Sequence, residues 1–326
     1  MDIIKVENLY KTFKIKEKKA GLKESIRSII SPKYKYVTAV KNISFSLEEG
    51  EMLAFIGPKG AGKSTVIKLL TGILYPDEGK INILNLNPQK NRDALVYKIG
   101  TVFGQKEQLW SYLTLYDNFK FFGTIYNLSY SEINKKVRQL SDLFNLYEFM
   151  NTPIRNLSLG QRILCEISVS LIHNPRILFL DEPTIGLDPY IKNLIRKFIK
   201  DLNRNYNTTV FLTSHDINDI DKICKRIIIM NNGQIVIDNH LKTLKQDYWA
   251  IKLIEILTKE KIDAPKLEGV KVEEHNNNIL KLSVNLKQVS TNVVMQNLDY
   301  SKILDFNISN IPLEKIIAKI YEEKIC

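Results

Sequence analysis

The nine residues Gly57-Pro58-Lys59-Gly60-Ala61-Gly62-Lys63-Ser64-Thr65 constrain this chain more than any other stretch. They fit the spacing G-x-x-x-x-G-K-[ST] of a phosphate-binding loop, which functions only between a strand and a helix. The flanks suit that context. Met52-Leu53-Ala54-Phe55-Ile56 predicts a buried strand, and Ser64 to Leu70 predicts the first turns of a helix. Glycines at 57, 60 and 62 let the backbone turn tightly and point several N–H groups inward. Those groups and the positive helix end can hold the β- and γ-phosphates of a nucleotide. Lys63 adds a point charge on the same oxygens, and the Ser64 hydroxyl is placed to ligate Mg²⁺.

A second run, Arg176-Ile177-Leu178-Phe179-Leu180-Asp181-Glu182, predicts a central parallel strand ending in two carboxylates. In open α/β sheets ligands sit at that carboxyl edge. Asp181 is then placed to hold Mg²⁺ through water, and Glu182 to polarise an attacking water as general base. Many strands end in Asp-Glu, so the run gains meaning from the phosphate loop 118 positions before it. Together they make a two-part magnesium–nucleotide site.

Four further stretches fall in order around this pair. Leu157-Ser158-Leu159-Gly160-Gln161 resembles the signature loop of ATP-binding cassette (ABC) ATPases, with Leu159 where that family usually has a second glycine. Gln105, in Val102-Phe103-Gly104-Gln105, resembles the family's Q-loop glutamine. Gly186-Leu187-Asp188 resembles its D-loop, and His215, after Thr213-Ser214, its switch histidine. The resemblance covers about residues 1–240. It implies an α/β fold of the P-loop NTPase type, with a parallel core sheet, an antiparallel β-layer and a helical subdomain. It also implies ATP hydrolysis, with Glu182, His215 and Gln105 catalytic and Ser64, Gln105 and Asp181 about the metal. Ser158, Gly160 and Gln161 would close on ATP held by a partner ATPase subunit, in a homodimer or with a related chain. Phe13 aligns with the aromatic that stacks on adenine; Tyr36, across a basic stretch, is one alternative, and a plain core role for Phe13 is the other. Singly, Gln105 reads equally as a surface glutamine, and Ser158 with Gly160 as an ordinary helix N-cap. A lone histidine after a β-run is more often structural than catalytic. Two departures stand out. Lys59 adds charge to the phosphate loop, and Leu159 would be strained if the signature needed a positive φ there.

Length and charge bound the rest. The 326 residues suit two domains: an ATP-binding domain over 1–245, with its helical subdomain at about 111–160, and a small α+β accessory domain over 246–326. No apolar run approaches the roughly 20 residues that span a bilayer, so a soluble cytoplasmic chain is expected, peripheral on the inner face of the membrane through a transmembrane permease subunit. The three cysteines, Cys165, Cys224 and Cys326, are scattered and suggest no disulfide framework. The net charge of +11 is uneven: residues 11–41 hold ten Lys or Arg against two Glu. Within this basic insertion, about 14–38, Leu22, Ile26, Ile29 and Ile30 share one helical face. The stretch reads as a solvated excursion, as a helix resting on anionic lipid or the membrane partner, or as a nucleic-acid contact. Nucleic acid is not expected as the main partner.

Residues 1–10, 36–56 and 80–84 predict the antiparallel layer, and Leu140, Leu143, Phe144 and Tyr147 the apolar face of a helix. Trp110, Tyr112, Tyr116, Phe119, Phe121 and Phe122 crowd together after Gln105, as core or as the rim against a membrane subunit. Beyond 245, strands are predicted at 250–256, 269–274, 279–284 and 302–308, and helices at 287–297 and 312–323. The wording of the motifs looks most like exporter ATPases of the multidrug or daunorubicin-resistance type. The reading is thus the ATPase subunit of a transporter, with a non-transport ABC ATPase acting on ribosomes or nucleic acid as the alternative.

Overall fold

The computed structural model describes residues 2–16, 33–104, 106–214, 216–248 and 250–325. The chain divides into two compact units, Met1–Asp238 and Asn239–Cys326.

The first unit holds two sheets. In one, β1 (Asp2–Lys16) lies between β2 (Tyr34–Glu48) and β4 (Glu78–Ile83), all antiparallel. The other has the order β5 (Ile99–Phe103), β6 (Ile177–Asp181), β7 (Thr209–Thr213), β3 (Met52–Ile56), β8 (Arg226–Asn231), β9 (Gln234–His240). Strands β5, β6, β7, β3 and β8 run parallel. All five residues of β3 and all five of β7 are buried, which is why β3 and the centre of β7, Val210–Leu212, read as apolar runs. Met52–Ile56 therefore belongs to this parallel sheet, while the antiparallel layer ends at Glu48. The turn at Gly50, with φ of 75°, separates the two. An aromatic column ties the layers together. Phe45 of β2 lies 5.7 Å from Phe55, which stacks on Phe211 at 5.2 Å, and Phe179 lies 5.7 Å from Phe211. Each such buried ring contributes about 1.5–3 kcal/mol.

The basic stretch begins and ends as strand: Lys14, Ile15 and Lys16 pair with Tyr36, Lys35 and Tyr34. The proposed face at Leu22, Ile26, Ile29 and Ile30 lies outside the described residues.

Helix α1 (Lys63–Leu70) follows the phosphate loop and α2 (Arg92–Val96) precedes β5. The helical segment holds α3 (Leu115–Ile125) and α4 (Tyr130–Phe144), each opened by a side-chain cap. Thr114 accepts from Asp117 N–H, and Ser129 with Glu132 forms a reciprocal capping box. Asn145, at φ 53°, ends α4, so the chain turns and buries Leu146 while Tyr147 is exposed. The apolar spacing that included Tyr147 thus runs one turn too far. After α5 (Leu159–Ser170), α6 (Pro189–Tyr206) and α7 (Ile217–Ile223) flank the sheet.

The second unit begins before α8 (Leu241–Asp247), rather than after it. Its antiparallel sheet has the order β11 (Val270–His275), β12 (Ile279–Asn285), β10 (Ile251–Thr258), β13 (Ile303–Asn310). One face buries Ile254, Ile256, Leu280, Leu282 and Val284 against Val294, Met295 and Leu298. These come from α9 (Thr291–Gln296) and the residues after it; α9 is shorter than the 287–297 expected because Ser290 caps its start. Helix α10 (Leu313–Ile325) closes the chain.

Candidate functional site

The phosphate loop sits where β3 gives way to α1. Gly62 caps the helix with φ of 106°, and a Cβ there would lie 2.1 Å from the Ala39 carbonyl oxygen, so both backbone and space require glycine. Gly57 is required by space instead, since its Cβ would lie 2.2 Å from the Met230 carbonyl oxygen. Pro58, Lys59 and Gly60 form the exposed crest, while Ala61 is buried and Thr65 half-buried. The Lys63 side chain is buried and its ammonium donates to the Gly57 and Pro58 carbonyls at 2.7 and 3.1 Å. Burial lowers its pKa, while the nearby Glu182 and Asp181 charges act to raise it. Its charge is thus aimed into the loop and kept there.

Sheet register assembles the acidic side. Phe103, Asp181, Thr213 and Phe55 occupy one row across β5, β6, β7 and β3, at the carboxyl ends of the strands. The Thr213 hydroxyl donates to Asp181 Oδ1 at 2.6 Å, and the Ser64 hydroxyl donates to the same oxygen at 3.2 Å. Asp181 is therefore held by one neighbouring strand and faces the first turn of α1. A cavity of about 140 Å³ opens here, lined by Ser64, Lys68, Phe103, Lys106, Asp181 and Glu182. A hydroxyl and a carboxylate are hard oxygen donors that suit Mg²⁺, which takes few protein ligands and draws the others from phosphate and water. Among the described residues no cluster of three acidic, histidine or cysteine side chains gathers.

Glu182 has φ of 55°, the left-handed region that costs a non-glycine residue about 1–3 kcal/mol. Its N–H donates to the Thr213 carbonyl and hydroxyl, each at 3.1 Å, so strand β7 holds this conformation. Backbone strain of this sort gathers at working sites. Nothing in the sequence run gives it away.

Behind Glu182 lies a polar network that sequence reasoning missed. The Arg196 guanidinium of α6 donates to Asp219 Oδ1 of α7 at 2.5 Å, and Asp219 is fully buried. Asp219 also accepts from the Thr184 hydroxyl and, at 3.1 Å, from the Ser214 hydroxyl. Lys192 pairs with Asp216 at 2.6 Å. Burial would raise the Asp216 carboxyl, but the Lys192 bond and charge hold it below its ordinary value. The network fastens the segments after β6 and after β7 to each other. Its one legible signal was the polar spacing of Lys192 and Arg196, one helical turn apart. Asp188, in the D-loop-like stretch, caps α6 by accepting from Tyr190 and Ile191 N–H at 2.9 and 3.1 Å.

In the signature-like segment Ser158 is the N-cap of α5. It accepts from Gln161 N–H at 3.3 Å, while Gln161 Oε1 accepts from Ser158 N–H at 2.9 Å. Leu159 is the first helical residue and does not take a positive φ, so the strain raised for it does not arise. Gly160 is buried, and a Cβ there would lie 2.7 Å from Ile191. None of these residues lines the cavity at Ser64 and Asp181. Gln105 and His215 lie outside the described residues. Phe13 pairs with Val37 and is half-buried, with the Lys11 ammonium 5.8 Å from its ring centre, whereas Tyr36 is 66% exposed.

Glu166, on α5, was also missed. Its carboxylate accepts from Gln108 N–H at 3.2 Å, and burial pushes its pKa up to about 7. With the Arg162–Glu107 ion pair, it ties α5 to the chain after Gln105.

Comparison with known proteins decides what this arrangement belongs to. The family model described as "ABC transporter" matches residues 40–185. The chain is 32% identical over 212 residues to the ABC transporter ATP-binding protein NatA of Bacillus subtilis, a match spanning 65% of this chain and 86% of NatA. The chain belongs to the ABC transporter ATP-binding proteins. This ABC ATPase is also 35% identical over 207 residues to the linearmycin resistance ATP-binding protein LnrL of the same organism, spanning 64% of this chain and 66% of LnrL. Among solved structures it resembles the ATP-binding cassette MJ0796, in a dimeric post-hydrolysis state bound to ADP and Pi, with 29% identity and a TM-score of 0.61. That likeness covers 73% of this chain and 98% of MJ0796. The fold is accordingly the P-loop α/β fold of ABC ATPases, and the chain is a nucleotide-binding, ATP-hydrolysing transporter subunit. Among the described residues no helix is long and apolar enough to cross a membrane.

Proposed function

We propose that this ABC ATPase powers export, by closing as a dimer around ATP and driving a separate transmembrane subunit at the inner face of the membrane. The observation that carries the site assignment is the convergence of Ser64 and Thr213 on Asp181 Oδ1, at 3.2 and 2.6 Å, beside the buried Lys63. In this reading the loop N–H groups of 57–65 and Lys63 bind the β- and γ-phosphates. Ser64 and Asp181 would hold Mg²⁺, and Gln105 is assigned to the metal by its motif. Bound there, Mg²⁺ would neutralise charge developing on the phosphoryl oxygens. Glu182, whose backbone takes the left-handed region just past the end of β6, accepts a proton from the attacking water. His215 follows β7, whose Thr213 already holds both Asp181 and Glu182. Phe13 supplies the adenine platform. The likeness to LnrL, a resistance protein, favours export. The basic excess over residues 11–41 suits a position beside anionic lipid.

Ser158, Gly160 and Gln161 act on the nucleotide of the opposite chain, a reading supported by their place outside their own chain's cavity. Sedimentation tests it. Glu182→Gln protein should dimerise with Mg-ATP, and adding Ser158→Arg should leave nucleotide binding intact but abolish that dimer. Equal dimerisation of the two proteins rules out the assignment in trans.

A further inference from the structure

The sheet of the second unit has two unlike edges. Strand β11 carries Lys271, Glu273 and Glu274 and breaks register between Val272 and Glu274. Charges and bulges are how sheets discourage further pairing. Strand β13, Ile303-Leu304-Asp305-Phe306-Asn307-Ile308-Ser309-Asn310, carries one charge and neither Lys nor Pro; its one register break falls at Leu304, near its start, and Asp305 to Asn310 pair regularly with β10. Its register with β10 sets Ile308 beside Ile254 and Phe306 beside Ile256. Ile254 and Ile256 are fully buried, yet Leu304, Phe306 and Ile308 are 56, 48 and 40% exposed. The apolar layer beneath the sheet therefore runs past its cover to the open edge. Whatever docks there must supply ladder hydrogen bonds and, on the same face, an apolar row of period two.

We propose that β13 pairs with β13 of a second copy of this chain, joining two four-stranded sheets into one antiparallel sheet. Identical antiparallel strands are related by a two-fold axis perpendicular to the sheet, which keeps every side chain on its own face. With the axis through Phe306, that ring meets Phe306 of the partner subunit, and Leu304 meets Ile308 of the partner subunit. On the other face Asp305 meets Asn307 of the partner subunit, so no like charges stand opposite. An axis through Asp305 would oppose two carboxylates, and one through Asn307 would waste Leu304 on Asn310 of the partner subunit. The Phe306 register alone pairs all three apolar residues. In the single chain Asp305 Oδ1 accepts the Phe306 N–H at 2.8 Å, shielding the middle of the edge, and this carboxylate turns aside on pairing. Eight residues span only about 27 Å, and one strand pair buries less than the roughly 1,200 Å² of stable complexes. Association is therefore weak and concentration-dependent.

The pairing is independent of the nucleotide reading, and its test excludes nucleotide. The full chain in EDTA, without ATP, is followed by sedimentation velocity and hydrogen exchange from low to high micromolar concentration. Dimer should accumulate as the amides of 306 and 308 gain protection. Asn307→Asp, which opposes a second carboxylate to Asp305 of the partner subunit, should weaken the dimer, and Asn307→Lys should tighten it. Phe306→Lys should raise the dissociation constant about tenfold or more, and Val272→Lys on the other edge should change nothing. Should Phe306→Lys misfold, the two surface changes at Asn307 still decide. A monomer at every concentration, or a dimer that both Asn307 variants shift alike or not at all, overturns the proposal.

Discussion

The two units bury different things. Among the described residues of the first, Lys63, Glu166, Arg196 and Asp219 are buried together with nine hydroxyl- or amide-bearing residues, whereas among those of the second only Thr258 and Ser283 join the apolar core. Burying a charge is expensive unless it is paired, and a well-packed apolar substitute is often as stable. The first unit bears that cost at the carboxyl ends of β6 and β7, where Asp181 and Glu182 stand. The second spends nothing of the kind: its interior is Ile254, Ile256, Leu280, Leu282 and Val284 against α9. The contrast separates a unit arranged for chemistry from one arranged for shape and contact.

Removing one member of the buried network should give the largest stability effect. Arg196→Leu leaves Asp219 buried without its cation, and should cost about 3–5 kcal/mol. Chemical denaturation of the full chain, read by tryptophan and by ATP binding, measures this. A loss under 1 kcal/mol would mean that the pair contributes no more than a solvent-exposed ion pair does, and the contrast would fail.

A core truncation in the second unit sharpens the contrast from the other side. Ile256→Ala should cost about 2–5 kcal/mol, confined to the unfolding of that unit, while hydrolysis per ATP-bound chain stays within about twofold of the parent. A parallel fall in hydrolysis would show that the second unit shares in the chemistry.

The third prediction is a pH dependence. Burial raises the Glu166 pKa to about 7 from the ordinary 4.5. The folded state therefore favours the protonated carboxyl, and its stabilisation, complete below pH 4.5, is lost as pH rises through 7. At about 1.4 kcal/mol per unit the span is up to ~3 kcal/mol. Glu166→Gln should flatten that slope and raise stability at pH 8 relative to the parent. Identical pH profiles for parent and variant would remove Glu166 from this role.

Much of the first unit was legible because its signals are local. A phosphate loop is nine consecutive residues with a strand before and a helix after, and the capping pair Ser158–Gln161 is three apart. What stayed hidden is long-range. Thr213 lies 32 residues from Asp181 and Thr184 lies 35 from Asp219, so only the sheet register reveals that they meet. Nor does sequence announce the left-handed φ of Glu182, since glutamate seldom takes it. In the second unit the strands were readable from their alternation, with ends off by at most two residues. The alternation of Leu304, Phe306 and Ile308 likewise reads as a half-buried strand, and only the sheet order places it at an edge.

The most direct test of the central claim is single-turnover hydrolysis, with ATP binding measured in parallel, for Glu182→Gln against the parent. Loss of a positioned general base lowers rates by about 10²–10⁴-fold, and the phosphate loop, Lys63 and Ser64 are untouched. The account predicts a fall in that range with ATP affinity within a few fold of the parent. Hydrolysis near the parental rate would contradict it, and would take the water-activating step away from Glu182.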